Sequence, residues 1–524
     1  MNRKLISLLT ALCLASPALP ATTFNLQTAS IAEIQAAMDA GALTSEKLVS
    51  MYLARIQAYD KAGPKVNAVI TLNPNALEEA RALDSERKLK RPRSHLHGTT
   101  VVLKDLIDAA GLPTTAGFTP FGAPVPDRDS TIVARMKAAG VIVLAKVSTT
   151  NWFGRGFEDT HPIGISLNPY NLGHAAGGSS NGSGVAIAAN FSTFAIGTDT
   201  SVSVQSPSAN NSVTGMVGTY GMVSRAGIVP RGATQDRPGP MAKNVADAVA
   251  AFSVIAGWDA EDLTTFNSIG AHPRGDWSKQ LDADLTGRRI GVIEEMIPSH
   301  PDYAEGVALF NQAVDDLRKA GAYVVKIELG LAELSVDTAQ PRLRTAEYEK
   351  IHYTDAYFAR LGSKAVFKTT REMMEKVGFD KFSEGMAVAL ELPSPSDSAD
   401  YAARYRARLM YIELIKDTMD RYALDAFVQP FTARPPGPIS GPRTPRDPDD
   451  TFGANNLGSS LGLPAVVVPG GYTPDKGLPI GIQFLGRPND DLNVARIAYG
   501  YEAASKRWKP APTTPALPGE SFTY

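Results

Sequence analysis

The residues whose types and spacing could do chemistry together are Lys104 and the serines of segment 177–203, GGSSNGSGVAIAANFSTFAIGTDTSVS. A Gly-Ser loop there leads into an apolar run of small residues. A second turn-like stretch, Gly197-Thr198-Asp199-Thr200-Ser201-Val202-Ser203, then ends on a further serine. Upstream, Val101-Val102-Leu103 delivers Lys104 from a short apolar strand pattern. Burial of an ammonium is costly, and desolvation favours the neutral amine, which accepts a proton. Serines on loops beside such a lysine are the parts of a hydrolase whose base is lysine instead of histidine. In that reading, successive N–H groups of the second turn line an oxyanion hole next to Ser203. Two plainer readings stay open at this point. Lys104 could pair with Asp105 or Asp108, and 197–203 could be an ordinary polar turn.

These side chains need elements to position them. Residues 185–189, VAIAA, suit a buried helix of small residues lying close against a sheet, entered through a tight turn. Apolar residues at helical spacing predict helices over 31–40 and 45–59, a charged helix over 75–88, and further helices over 130–139, 244–256 and 306–320. Apolar and β-branched runs predict strands over 66–72, 99–103, 141–146, 289–293, 323–327, 465–468 and 480–485. The alternation places the chain in the α/β class, a sheet flanked by helices. A helical, charged and aromatic stretch over 345–424 reads as an insertion or lid. Residues 430–448, rich in Pro, Gly and Arg, read as a long loop.

Composition narrows the partners. Of 524 residues 44% are apolar and 20% charged, ordinary for a globular protein. Lys plus Arg, 52, nearly balances Asp plus Glu, 54, so neither nucleic acid nor an anionic membrane is an expected partner. Arg3 and Lys4, the apolar run 5–15 and the small-residue end 16–21 predict a signal peptide over 1–21, cleaved after Ala18 or Ala21, and hence a secreted or periplasmic protein. The run is too short to span a bilayer. Cys13, the one cysteine, lies inside it after Leu12, a poor match to a lipid-anchor site. The mature chain would then have no disulfide, thiol nucleophile or cysteine metal site. The seven histidines form no HExxH, and His95 and His97 are assigned to surface or loop. The Gly-Ser loop lacks the Lys-Ser/Thr ending of a phosphate-binding loop. Gly178 to Gly182 matches G-x-S-x-G, but no strand leads into it. Neither metal nor organic cofactor is expected.

Together these segments resemble the amidase signature family. The similarity runs through GGSSNGSGVAIAAN, GTDTSVS, GTYGMVSRAGIVP and QDRPGPMAKNVADA, through LHGTTVVLKDLIDAAGLPTTAG before them, and through NLGSSLGLPAVVVPGGYTPDKGLPIGIQFLGRP after them. It covers nearly all of 22–524, nearest in flavour to secreted bacterial peptide amidases. The resemblance implies one large domain with a central mixed sheet: a signature core over about 65–330, the helical insertion over 345–424 and a return to the sheet over 425–510. It also implies a Ser–cis-Ser–Lys triad whose serines stand 24 residues apart. That spacing matches Ser203 as nucleophile and Ser179 as bridge, with Lys104 as base and a cis Gly178–Ser179 bond. The N–H groups of Thr200, Ser201, Val202 and Ser203 would form the oxyanion hole, with Ser180 and Asp199 in support.

The chain departs from that family at four positions. Ser201 and Val202 replace small residues, often Gly-Gly, and a β-branched valine restricts the backbone there. Gln205 replaces a frequent arginine, which points to uncharged substrates. Asn181 occupies a glycine slot and is expected to tolerate left-handed backbone. The expected activity is hydrolysis of a small-molecule or peptide-like amide by water through an acyl-enzyme, with aryl amides, esters and carbamates open to the same chemistry. The alternatives are a catalytically weak amidase-like binding protein and the glutaminyl-tRNA amidotransferase subunit of the same family.

Overall fold

The β-branched runs pair side by side in a computed structural model that describes residues 22–155, 160–272, 275–330, 343–440 and 457–524. The predicted signal segment and residues 441–448 of the predicted loop 430–448 lie outside them. In chain order the strands are β1 (Thr23–Asn25), β2 (Val69–Leu72), β3 (Thr100–Lys104), β4 (Ile142–Val147), β5 (Phe194–Asp199), β6 (Thr214–Val217), β7 (Arg237–Ala242), β8 (Arg289–Ile293), β9 (Tyr323–Ile327), β10 (Ala426–Pro430), β11 (Ala465–Tyr472), β12 (Pro479–Leu485) and β13 (Ser521–Thr523). Eleven form one sheet, in the order β2-β4-β3-β5-β7-β6-β11-β12-β10-β8-β9, while β1 and β13 pair apart from it. The sheet is mixed: β3 runs parallel to β4 and β5, β8 parallel to β9 and β10, and the middle pairs are antiparallel.

Both faces of the central strands are buried, which is why their sequences read as apolar runs without alternation. Val101 and Leu103 of β3 point into one layer and Val102 into the other. Phe194 and Ile196 of β5 are likewise separated from Ala195. Helices cover both faces. The predicted helix over 45–59 is Ser45–Tyr59, capped by the Thr44 hydroxyl, which accepts from Lys47 N. Ile31–Asp39 begins with a reciprocal cap between Ser30 and Glu33. The insertion is helical over Ala346–Leu361, Thr370–Val377, Glu384–Glu391 and Ala399–Arg421.

One expectation changes, and two further features come from the structure alone. Residues 197–199 are the end of β5, not the start of a turn. Residues 237–242, RPGPMA, form an interior strand despite two prolines, because β6 reaches only Met241 and Ala242, so β7 has a single neighbour at Pro238 and Pro240. His97 sits in a loop but is fully buried, its Nε2 3.0 Å from the Leu83 carbonyl.

Candidate active site

Two parallel strands and two loops converge at the ends of β3 and β5. Lys104 is the last residue of β3 and is fully buried. Its Nζ lies 2.6 Å from Ser179 Oγ, 2.8 Å from Thr198 Oγ1 and 3.4 Å from the Thr198 carbonyl. The Trp152 ring centroid stands 5.1 Å away. No carboxylate pairs with Lys104 among the described residues. Asp105 binds Lys146 instead, at 2.9 Å, and Asp108 accepts from Tyr357 and Thr114 and faces Arg360. The ion-pair reading of Lys104 is thereby removed. Burial is the largest influence on its amine and lowers the pKa to about 7; Asp199 and Asp236 oppose the shift and Arg231 adds to it.

Ser179 sits in the loop that enters the helix Asn181–Ala188, and the Gly178–Ser179 peptide is cis. Gly182 in the first turn of that helix donates to the Ser148 carbonyl at 3.0 Å, and a Cβ at Gly182 would stand 2.3 Å from Ser148 N. Only glycine lets the helix approach the end of β4 this closely. Asn181 does not take left-handed backbone. Its amide instead donates to Ser148 Oγ and Ser166 Oγ, both at 3.1 Å. Ser180 ties the two serine loops together: its N–H donates to the Ser203 carbonyl at 3.1 Å, and its Oγ bridges the N–H and C=O of Thr198.

The turn after β5 carries half-buried Ser203. The Asp199 carboxylate accepts from Val204 N at 3.0 Å, from Gln205 Nε2 at 3.2 Å and from Ser459 Oγ at 2.6 Å, with the Arg237 guanidinium 4.0 Å away. Thr200 Oγ1 donates to Asp236 at 2.6 Å. The N–H groups of Ser201, Val202 and Ser203 donate to no acceptor among the described residues, so they are available to an incoming oxyanion. None of residues 200–203 has left-handed backbone, and Val202 packs against Ala209, Phe431 and Val467. The β-branched side chain is accommodated there.

Gln205 is fully buried; its Nε2 donates to Asp199 and Ser459, and its Oε1 accepts from Gln483. The expectation of uncharged substrates that was drawn from Gln205 therefore has no residue behind it. Sequence reasoning missed Thr198, Asp236 and this buried amide network. Thr198 was hidden because its strand was read as a turn.

A cavity of about 380 Å³ opens beside the lysine, lined by Trp152, Thr198, Ile228, Pro230, Tyr353 and Tyr357 among others. Phe118, Phe121 and Phe153 are buried core residues whose rings pack together, Phe121 stacked on Phe153 and Phe118 tilted against it. Among the described residues no cluster of His, Cys, Asp and Glu could hold a metal ion, and no helix is long and apolar enough to cross a membrane.

Comparison with known proteins gives this geometry a lineage. The amidase family profile matches residues 47–494. Native peptide amidase from Stenotrophomonas maltophilia shares 33% identity and a TM-score of 0.79, over 92% of this chain and 98% of its own. An amidase family protein from Bacillus anthracis shares 31% identity and a TM-score of 0.78, over 92% of each chain. The glutamyl-tRNA(Gln) amidotransferase A-chain of Myxococcus xanthus is 32% identical over 482 residues, 90% of this chain and 96% of its own. With its Ser-Ser-Lys constellation and mixed sheet, this chain belongs to the amidase signature family, as a serine-hydrolase-type enzyme acting on carbon–nitrogen amide bonds.

Proposed function

We infer that the chain is an exported, stand-alone amidase that cleaves carboxylic amides of small-molecule or peptide-like size, with Ser203 as nucleophile, Ser179 as relay and Lys104 as base. The observation that carries this reading is the Lys104 amine, desolvated, without an ion-pair partner among the described residues and 2.6 Å from Ser179 Oγ. As Ser203 Oγ attacks the carbonyl carbon, its proton passes to Ser179 Oγ while the Ser179 proton passes to Lys104 Nζ. The free N–H groups of the turn after β5 receive the developing oxyanion. The proton returns through Ser179 to the leaving nitrogen, and the C–N bond breaks to give the amine and an acyl-Ser203 ester. Water then attacks the ester, its proton taken by the same relay, and the acid leaves. Aryl amides, esters and carbamates present the same carbonyl to the same groups.

Likeness to the Stenotrophomonas peptide amidase supports a peptide-like amide. The signal-like N-terminus and the balanced charge favour a stand-alone exported enzyme over a component of a tRNA-modifying complex. The test is a panel of amides, anilides, esters and carbamates offered to the mature protein and to Ser203→Ala. Turnover by the first and none by the second is expected. Equal release by both, or none by either, overturns the hydrolase reading and leaves a binding protein.

A further inference from the structure

Around Trp152 stand two cationic side chains, neither of them in an ion pair among the described residues. Arg231 places its guanidinium 5.6 Å from the Trp152 ring centroid, on the same indole that stands 5.1 Å from Lys104 Nζ. Its backbone N–H is held by Asp236, but its guanidinium makes no hydrogen bond or ion pair among the described residues. Lys350 comes from a separate element, the helix Ala346–Leu361. It is 6% exposed, and among the described residues its Nζ reaches only the Trp152 carbonyl, at 3.5 Å, and the face of Phe153, 5.7 Å to the centroid. The nearby acids are already engaged. Glu347 pairs with Arg344 at 2.6 Å. Asp236 accepts from Thr200 and from the N–H groups of Arg231 and Gly232, and Glu349 accepts from Thr234 and Tyr401. The other cations bordering the neighbouring cavity have carboxylates of their own: Arg225 with Asp262, Arg237 with Asp199 and Arg360 with Asp108.

A buried cation without an ion-pair partner is costly, and Asp236 and Glu347 offset these two charges only from beyond ion-pair distance. Burial, and after it Arg231, push the Lys350 amine well below its usual range, and an adjoining carboxylate would favour its charged form. We propose that Arg231 and Lys350 form an anion subsite that receives a carboxylate carried by the substrate away from the scissile amide. Monoamides of dicarboxylic acids and acidic peptide-like amides are then the favoured substrates. The proposal rests on the amidase reading above and names its substrate class. The guanidinium suits a planar carboxylate, and the lysine supplies a second point of attachment from the facing helix.

The test compares ammonia release from glutaramate with release from pentanamide, its neutral counterpart, in the wild type, Arg231→Gln, Arg231→Lys and Lys350→Met. The wild type should prefer glutaramate. The acid-to-neutral ratio of kcat/KM should fall roughly 10- to 100-fold in Arg231→Gln, chiefly through KM, with part of it recovered in Arg231→Lys. Lys350→Met should move the ratio in the same direction. No wild-type preference, or a ratio that Arg231→Gln leaves in place, overturns the subsite. Calorimetry with glutarate on Ser203→Ala reads the subsite without turnover. Binding that is lost on adding Arg231→Gln supports it even if the hydrolase reading fails, whereas no binding, or binding indifferent to Arg231, overturns it.

Discussion

Lys104 makes no ion pair among the described residues, and burial, outweighing Asp199 and Asp236, lowers its pKa to about 7. The relay needs the neutral amine, so kcat/KM for an uncharged amide should rise as pH passes up through about 7 and level off above it; a profile flat from pH 5 to 9 would contradict that assignment. Lys104→Met should lower kcat by roughly 10³-fold or more, as removal of a member of a catalytic triad does, with the fold checked by circular dichroism. The lysine stands out in the sequence because a run of apolar residues ends on it, while the separate roles of Ser179 and Ser203 come from the resemblance to the family and not from the residues alone. Thr198 and Asp236 were not. Each acts through a contact between strands or loops far apart in sequence, 94 residues in the case of Lys104 and Thr198. Gln205 was misread for a related reason: its position in the sequence resembles that of a substrate-facing residue, while packing turns it into the core.

Two short elements aim the serines, and both depend on close approach. The helix Asn181–Ala188 begins against the backbone of Ser148, where a Cβ on Gly182 would overlap main-chain atoms. Gly182→Ala should destabilise the fold by about 1–3 kcal/mol, read as a lower urea midpoint, and should reduce kcat by moving Ser179 away from Lys104. The turn after β5 hangs from Asp199, which holds the Val204 N–H at 3.0 Å. Asp199→Asn keeps the shape but weakens that anchor, and kcat should drop roughly tenfold with little change in KM. Elements such as Ser45–Tyr59, β8 and β9 were read directly, because their apolar periodicity is strong and their ends are marked. Strand β7 was not, because its two prolines argue for a loop until its partial pairing is seen. The short terminal strands β1 and β13 carry too little pattern to announce themselves.

At the scale of the molecule, the two ends of the described chain are joined. Strand β1 pairs with β13, and fully buried Arg55 binds Glu520 at 2.8 Å while also donating to the carbonyls of Ala189, Thr514 and Pro515. Glu520→Ala leaves that guanidinium buried without its counter-ion and should cost about 3–5 kcal/mol of stability, seen as a lower Tm, with kcat per folded molecule retained. The α/β class was legible from alternation, but the order of eleven strands was not, since pairings such as β6 with β11 join residues some 250 positions apart. That long-range closure gives the chemistry its rigid floor. Nucleophilic attack by Ser203 is most directly read on the intact protein by labelling with a fluorophosphonate and mapping the modified peptide by mass spectrometry. A single adduct on Ser203, lost in Lys104→Met, is the expected result; an adduct on Ser179 or Ser201 in place of Ser203, or no adduct in an enzyme that turns over amides, would contradict it.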